Sequence, residues 1–221
     1  MPINGVVFDL DNTLYAYAPC NRAGQVAVVK FLALHLGLPA SQVRQAWEAS
    51  RQTVHKRLAK QAASHARLFY AQGAIELLLG RTDIRLTLQA DEVFWSAYLR
   101  TMRLRPGMRA LLQQIKRWGW RLGIASDLTT VWQMKKLQRL GLAKMFDDIV
   151  TSEEAGCEKP NPRMIRLLLR KMQRRSHQVV LIGDSHARDR QVAVACGIPF
   201  LQLASNADVS AVRRALTAKQ N

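Results

Sequence analysis

The chain has 221 residues, 48% of them hydrophobic, which suits one large domain or a core domain carrying an insertion. Thirty-three Lys and Arg stand against 16 Asp and Glu, a formal net charge of +17, while aromatics make up 7% and do not interleave with the basic runs; this composition disfavours a stacking platform for single-stranded nucleic acid and predicts steering of anionic substrates. No apolar run reaches eighteen residues, no basic stretch followed by an apolar one opens the sequence, and Cys20, Cys157 and Cys196 form no CxxC pair, so the expectation is a cytoplasmic protein with reduced thiols, without membrane span, zinc site or disulfide framework.

In chain order, residues 3–8 read as a first buried strand. Residues 16–100 read as consecutive helices with no convincing strand, broken at Gly37-Leu38-Pro39, near Ser64 and at Gly80, with Ser41 a candidate cap for the second helix. From residue 106 the pattern alternates. Helices are expected over 106–118, 130–140, 162–171 and 190–196, strands over 121–125, 148–151, 179–182 and 199–203, and a last helix after Ala204. Pro106 and Pro162 suit helix starts, and Gly119, Gly141 and Gly197 suit helix ends. Arg163, Arg166, Arg170 and Arg174 recur every three or four residues among Met164, Ile165, Leu167, Leu168, Leu169 and Met172, which predicts an amphipathic helix with a solvated basic face. Alternating strands and helices make a parallel sheet with helices on both faces. The expected organisation is an α/β core from residues 1–15 and 101–221, with an all-helical domain, 16–100, inserted after the first strand over the C-terminal edge of the sheet, where a lid would act.

Four polar clusters lie at or beyond the predicted strand ends. The first is Asp9-Leu10-Asp11-Asn12-Thr13, after Val6-Val7-Phe8. Two carboxylates one residue apart repel unless a cation or proton lies between them, and open α/β sheets place their sites at the C-terminal strand ends. The others are Ser126-Asp127 after Ile124-Ala125, then Glu158-Lys159-Pro160-Asn161-Pro162, then Gly183-Asp184-Ser185-His186-Ala187-Arg188-Asp189. Taken singly, each reads as turn aspartates, helix caps or a loop lysine; their joint order is the discriminating signal.

In that order and spacing the clusters resemble the four motifs of the haloacid dehalogenase-like hydrolase superfamily, over nearly the whole chain. The resemblance implies a Rossmann-like three-layer core with an all-helical cap. It also implies a Mg²⁺-dependent phosphatase acting on a small phosphorylated metabolite, a phosphomonoester, through an aspartyl-phosphate. Asp9 matches the nucleophile and Asp11 the general acid/base. Ser126 and Lys159 would hold the phosphoryl group, helped by backbone amides near Leu10, Asn12 and Asp127. The Asp9 side chain, the Asp11 carbonyl oxygen and Asp184 would hold Mg²⁺, with Asp189 orienting Lys159 or metal-bound waters. Dehalogenases of the superfamily lack an acid at the position of Asp11 and need no metal, so Asp11 with Asp184 favours phosphoryl transfer. A phosphotransferase or phosphomutase would use the same pair and stays open, as does a non-catalytic basic module that binds nucleic acid. Within the cap, Ser64-His65-Ala66-Arg67-Leu68-Phe69-Tyr70 resembles a segment of a branch handling small phosphorylated metabolites, which implies that His65 and Arg67 face the substrate. Arg51 and His55 are weaker anion-binding candidates, Tyr15 and Tyr17 candidate pocket walls, and Trp47, Phe69, Trp95 and Tyr98 read as core. Three positions depart from the family pattern: Arg188 where Asn is frequent, Asp127-Leu128 where Asn-Gly is common, and Arg190-Gln191-Val192 in place of a smaller turn. They bear on loop geometry and substrate class, not on the reaction.

Overall fold

The apolar run at the start of the chain forms β1 (Gly5–Phe8), buried along its whole length. The other strands are β2 (Arg121–Ser126), β3 (Asp148–Thr151), β4 (Val179–Gly183) and β5 (Phe200–Gln202). In this computed structural model, which describes residues 2–204 and 209–220, they pair in the order β3-β2-β1-β4-β5, all parallel. Central parallel strands are covered on both faces, which is why they read as continuous apolar runs rather than alternating ones. The register sets Phe8 opposite both Ile124 and Ile182, and Ser126 opposite Thr151. Asp9, Ser126 and Asp184 therefore emerge along one edge, the C-terminal edge where the strand order reverses about β1.

Alternation along the strands divides the core. Val7, Ala125, Val150 and Leu181 pack with Met164, Ile165, Leu168 and Met172 of α8 (Arg163–Met172) and with Val192 and Ala193 of α9 (Gln191–Ala195). Val6, Phe8, Leu122, Ile124, Val180 and Ile182 point to the other face and are equally buried. There α5 (Met108–Arg117) buries Met108, Leu111, Leu112 and Ile115. On α8, Arg163, Arg166 and Arg170 are exposed opposite this apolar stripe, as the periodicity predicts. The helix starts of the sequence reading shift: Pro162 precedes α8 as its cap residue, and α5 begins after Gly107, whose φ of +76° is a left-handed conformation that favours glycine. A π-helical turn, His186–Arg190, and the short α7 (Ser152–Ala155) were not anticipated. α6 (Thr130–Arg139) follows β2, and α10 (Ser210–Thr217) lies near the chain end.

Ala18–Met102 forms a separate compact unit, and the remaining described residues form the other. The helical unit contains most of α1 (Tyr17–Leu36), then α2 (Ala40–Arg57), a 3₁₀ turn (Ala62–His65), α3 (Arg67–Leu79) and α4 (Ile84–Thr101). Its core is aromatic: Trp47 stacks on Phe94 at 5.9 Å, and Phe94 meets Trp95 edge-on at 5.4 Å, with Tyr98 fully buried beside them. The gain from such packing is about 0.5–1.5 kcal/mol per ring pair beyond area burial. Ser41 is not a cap. Pro39 occupies that position, its fixed φ and missing N–H suiting a helix entry, and Ser41 lies in the first turn of α2. α4 is capped instead by Asp83, which accepts from Leu86 N at 2.9 Å. Among the described residues no helix is long and apolar enough to cross a membrane.

Candidate active site

β1 ends at Phe8, so Asp9 and Asp11 belong to a loop rather than to the strand. The Asp9 N–H still donates to Ile182 O at 2.9 Å, which anchors the loop to the sheet. Both Asp9 carboxylate oxygens are engaged: Thr13 Oγ1 donates to Oδ2 at 2.9 Å and Lys159 Nζ to Oδ1 at 2.6 Å. The same ammonium donates to Asp189 Oδ1 at 2.6 Å and to Ala125 O at 3.2 Å, spending all three protons. Lys159 and Asp189 are both buried. Burial opposes the lysine's charge, but Asp9, Asp189 and Asp127 outweigh it, so its proton is held well above the usual lysine range. For Asp9, burial pushes the carboxyl up, Lys159 pulls it down, and Asp189 and Asp11 push it up again, leaving it raised to about 7.

Asp189 also accepts Ser185 N on Oδ2 at 3.0 Å, so neither of its oxygens is idle. Its carboxylate lies against Gly183, where a Cβ would collide with it; glycine here permits the close approach. Asp9, Asp184 and Asp189 each place a carboxylate oxygen within 4.8 Å of the others. Asp184 is half-buried and pushed up by burial and by Asp189. An oxygen-only donor set of this kind fits a hard cation such as Mg²⁺.

Asp11 turns elsewhere. Lys136 Nζ on α6 donates to its two oxygens at 2.8 and 3.0 Å, and the Tyr15 hydroxyl donates to Oδ1. Burial pushes the Asp11 carboxyl up, but the Lys136 charge and hydrogen bonds from Lys136, Tyr15 and Gln133 outweigh it, and the net shift is downward. Gln133, one turn before Lys136, donates to Ser126 Oγ at 2.6 Å and to Asp127 O at 2.5 Å. Gln133 and Lys136 escaped the sequence reading. The available signal was two polar residues at i, i+3 aligned with the apolar stripe of α6. Tyr15 was expected to line a pocket; it is fully buried, with its hydroxyl on Asp11. Tyr17 is half-buried and donates its N–H to Asn12 Oδ1 at 3.0 Å.

Arg105 was also missed. It donates to Asn12 O at 2.6 Å, Thr13 O at 3.0 Å and Ala204 O at 3.0 Å. Those bonds fix the loop after Asp11, in which Asn12 holds a φ of +65°, a conformation Asn tolerates better than most residues. Leu10 is buried beneath the loop. Asp127 accepts Lys159 N on Oδ1 at 3.0 Å and faces Arg188 at 3.6 Å; burial pushes its carboxyl up.

The candidates in the helical unit separate. Arg67, which the resemblance implies faces the substrate, opens α3 and packs against aromatic rings. It is 6% exposed, its guanidinium lies 5.4–5.7 Å from the Tyr70, Phe94 and Trp95 ring centres, and it donates to His65 O at 2.5 Å and Asn21 Oδ1 at 3.3 Å. Cation–π contacts and carbonyl bonds make it part of that unit's core. Arg51 is paired with Glu48 at 2.6 Å. His65 meets His55 at 5.0 Å between ring centres, and His55 Nε2 lies 2.9 Å from the Tyr70 hydroxyl. Trp47, Trp95 and Tyr98 are buried as core, and Phe69 is half-buried.

A family model described as haloacid dehalogenase-like hydrolase matches residues 3–197. A ribulose-1,5-bisphosphate 5-phosphatase of Halopiger xanaduensis is 38% identical over 195 residues, 87% of this chain and 81% of that protein. A glyceraldehyde 3-phosphate phosphatase of Methanocaldococcus jannaschii is 26% identical over 196 residues, 89% of this chain and 82% of that protein. The crystal structure of a HAD phosphatase from Thermococcus onnurineus matches the fold with a TM-score of 0.70 at 19% identity, covering 93% of this chain and 88% of the other.

Proposed function

The chain belongs to the haloacid dehalogenase-like hydrolases, and we propose that it is a Mg²⁺-dependent phosphatase hydrolysing a small phosphorylated sugar through an aspartyl-phosphate on Asp9. The observation that carries this reading is the Lys159 ammonium bridging Asp9 and Asp189 at 2.6 Å each, with Asp184 beside them. An anionic nucleophile approaches an anionic phosphoryl group only where positive charge is fixed next to both.

In this mechanism an Asp9 oxygen attacks phosphorus, and the bond from phosphorus to the ester oxygen breaks. Asp11 gives a proton to the departing oxygen. It then takes one from water, which attacks the aspartyl-phosphate, releasing phosphate and restoring Asp9. Lys159, Ser126 and the backbone amides near Leu10, Asn12 and Asp127 hold the phosphoryl oxygens. The Asp9 side chain, Asp184 and the Asp11 carbonyl oxygen would hold Mg²⁺, which supplies positive charge against the phosphoryl group. Asp189, which accepts the Lys159 ammonium on one oxygen and the Ser185 N–H on the other, orients the lysine. The Asp11 carboxylate rests as the ionised partner of Lys136. That state suits the base half of the cycle, and the acid half requires Asp11 to leave Lys136 and take up a proton before it meets the ester oxygen.

The sugar-phosphate class is supported by the activities named for the relatives, on ribulose 1,5-bisphosphate and glyceraldehyde 3-phosphate. The helical unit Ala18–Met102, inserted in sequence directly after the Asp9 loop, is read as the substrate-selecting cap. The test is phosphate release from a panel of phosphorylated metabolites with Mg²⁺. Asp9→Asn should lower turnover by at least about 10³-fold without unfolding the protein, because no other group here replaces a covalent nucleophile and Lys159 keeps Asp189 as a partner. Unimpaired hydrolysis by that variant overturns the mechanism.

A further inference from the structure

The cations around Asp9 differ in how fully they are used. Lys159 spends three protons on Asp9, Asp189 and Ala125. Lys136 is buried on the two oxygens of Asp11, and Arg105 holds three backbone carbonyls. Arg188 breaks this pattern. It stands in the π-helical turn His186–Arg190 that follows β4. Asp189 turns inward to Lys159 and Ser185, while Arg188, one residue earlier, has a side chain 52% exposed. It pairs with Asp127 at 3.6 Å, too long for a hydrogen bond, although a guanidinium offers five donors.

Its anchor differs from that of the reacting centre. Asp127, its partner, is bound by the backbone N–H of Lys159, whereas Asp9 is bound by the ammonium at the other end of that lysine. Arg188 is thus anchored at the rim, with Asp127, Asp9, Asp189 and Asp184 all favouring its charge against the cost of partial burial. A planar guanidinium takes phosphate or carboxylate through two parallel hydrogen bonds. Such a ligand outcompetes one carboxylate held at 3.6 Å.

We propose that Arg188 recognises a second anionic group on the substrate, separate from the phosphoryl group transferred to Asp9. The preferred substrates then carry a phosphomonoester and, elsewhere, another phosphoryl group or a carboxylate. This rests on the phosphatase reading and narrows its substrate class. It also gives a role to an arginine standing where the family pattern favours asparagine.

The experiment compares wild type, Arg188→Gln and Arg188→Lys on two matched pairs with Mg²⁺: a pentitol 1,5-bisphosphate against its 5-phosphate, and 2-phosphoglycolate against 2-hydroxyethyl phosphate. Arg188→Gln should lower kcat/KM for the doubly anionic member about 10- to 100-fold more than for its partner, mainly through KM, and Arg188→Lys should recover part of the difference. Selective loss in the first pair alone identifies a second phosphoryl group, and in the second pair alone a carboxylate. Equal losses within both pairs, or no loss, overturn the proposal, because Arg188 would then serve the transferred phosphoryl group, the fold, or nothing. The same pairs titrated calorimetrically onto Asp9→Asn protein, with and without Arg188→Gln, read the discrimination without turnover. A wild type that releases no phosphate while that discrimination persists refutes the phosphatase reading alone.

Discussion

Lys136→Met and Asp11→Asn remove opposite halves of one ion pair, and the structure makes their costs unequal. The Lys136 side chain is 1% exposed and the Asp11 side chain 28%. Methionine keeps the aliphatic stem and deletes the ammonium. The remaining Asp11 carboxylate can be rehydrated and keeps the Tyr15 hydroxyl. The loss of charge-assisted bonds, about 1.5–3 kcal/mol, is partly offset by relief of the lysine's burial, so the net cost should be about 0–2 kcal/mol. Asp11→Asn instead deprives a buried ammonium of its carboxylate and should cost about 3–5 kcal/mol. The double variant should recover most of that, giving a coupling energy of at least about 2 kcal/mol. Urea denaturation at pH 7 of the four proteins measures all three quantities. The pH dependence has a defined sign. The folded Asp11 carboxyl lies below its ordinary 3.8, so the stability from its ionisation is complete above that value and is lost as pH falls through the lower folded value. The gap between wild type and Lys136→Met should therefore narrow below about pH 3.8. A Lys136→Met cost larger than that of Asp11→Asn, or a coupling below about 0.5 kcal/mol, would refute the assignment of the buried charge.

Gly183→Ala places a methyl group against the Asp189 carboxylate; it should destabilise by about 1–3 kcal/mol and lower phosphate release by displacing Asp189 from Lys159, and normal activity would show that the contact is not needed. Arg105→Met frees the carbonyls of Asn12, Thr13 and Ala204 and should cost about 3 kcal/mol in thermal or urea unfolding. The Asp9 carboxyl, raised to about 7, binds protons more tightly folded than unfolded, so in chelator its contribution to stability falls as pH rises from about 4 to about 7. Mg²⁺ favours the ionised carboxylate, so it should raise the melting temperature more at pH 8 than at pH 6, and Asp9→Asn should abolish the difference.

Much of the site was legible because its parts are local. Three of the four motifs are a strand end followed by polar residues, and a buried parallel strand announces itself as an apolar run. Parallel pairing then brings Asp9, Ser126 and Asp184 to one edge without further information. The amphipathic α8 was equally plain, since helical periodicity states which residues share a face. Periodicity does not state what that face meets. Lys136 and Asp11 are 125 positions apart, and Arg105 reaches Asn12 across 93. Arg67 illustrates the converse: a cation in a substrate-like segment lies among aromatic rings because the packing of α3 on α4 surrounds it. By itself, then, the sequence determined the strands, the motif residues and the family, all of which rest on short-range pattern and order. Only the tertiary structure decided which charges neutralise one another, because ion pairing depends on distance and burial, quantities that exist only once the chain has folded.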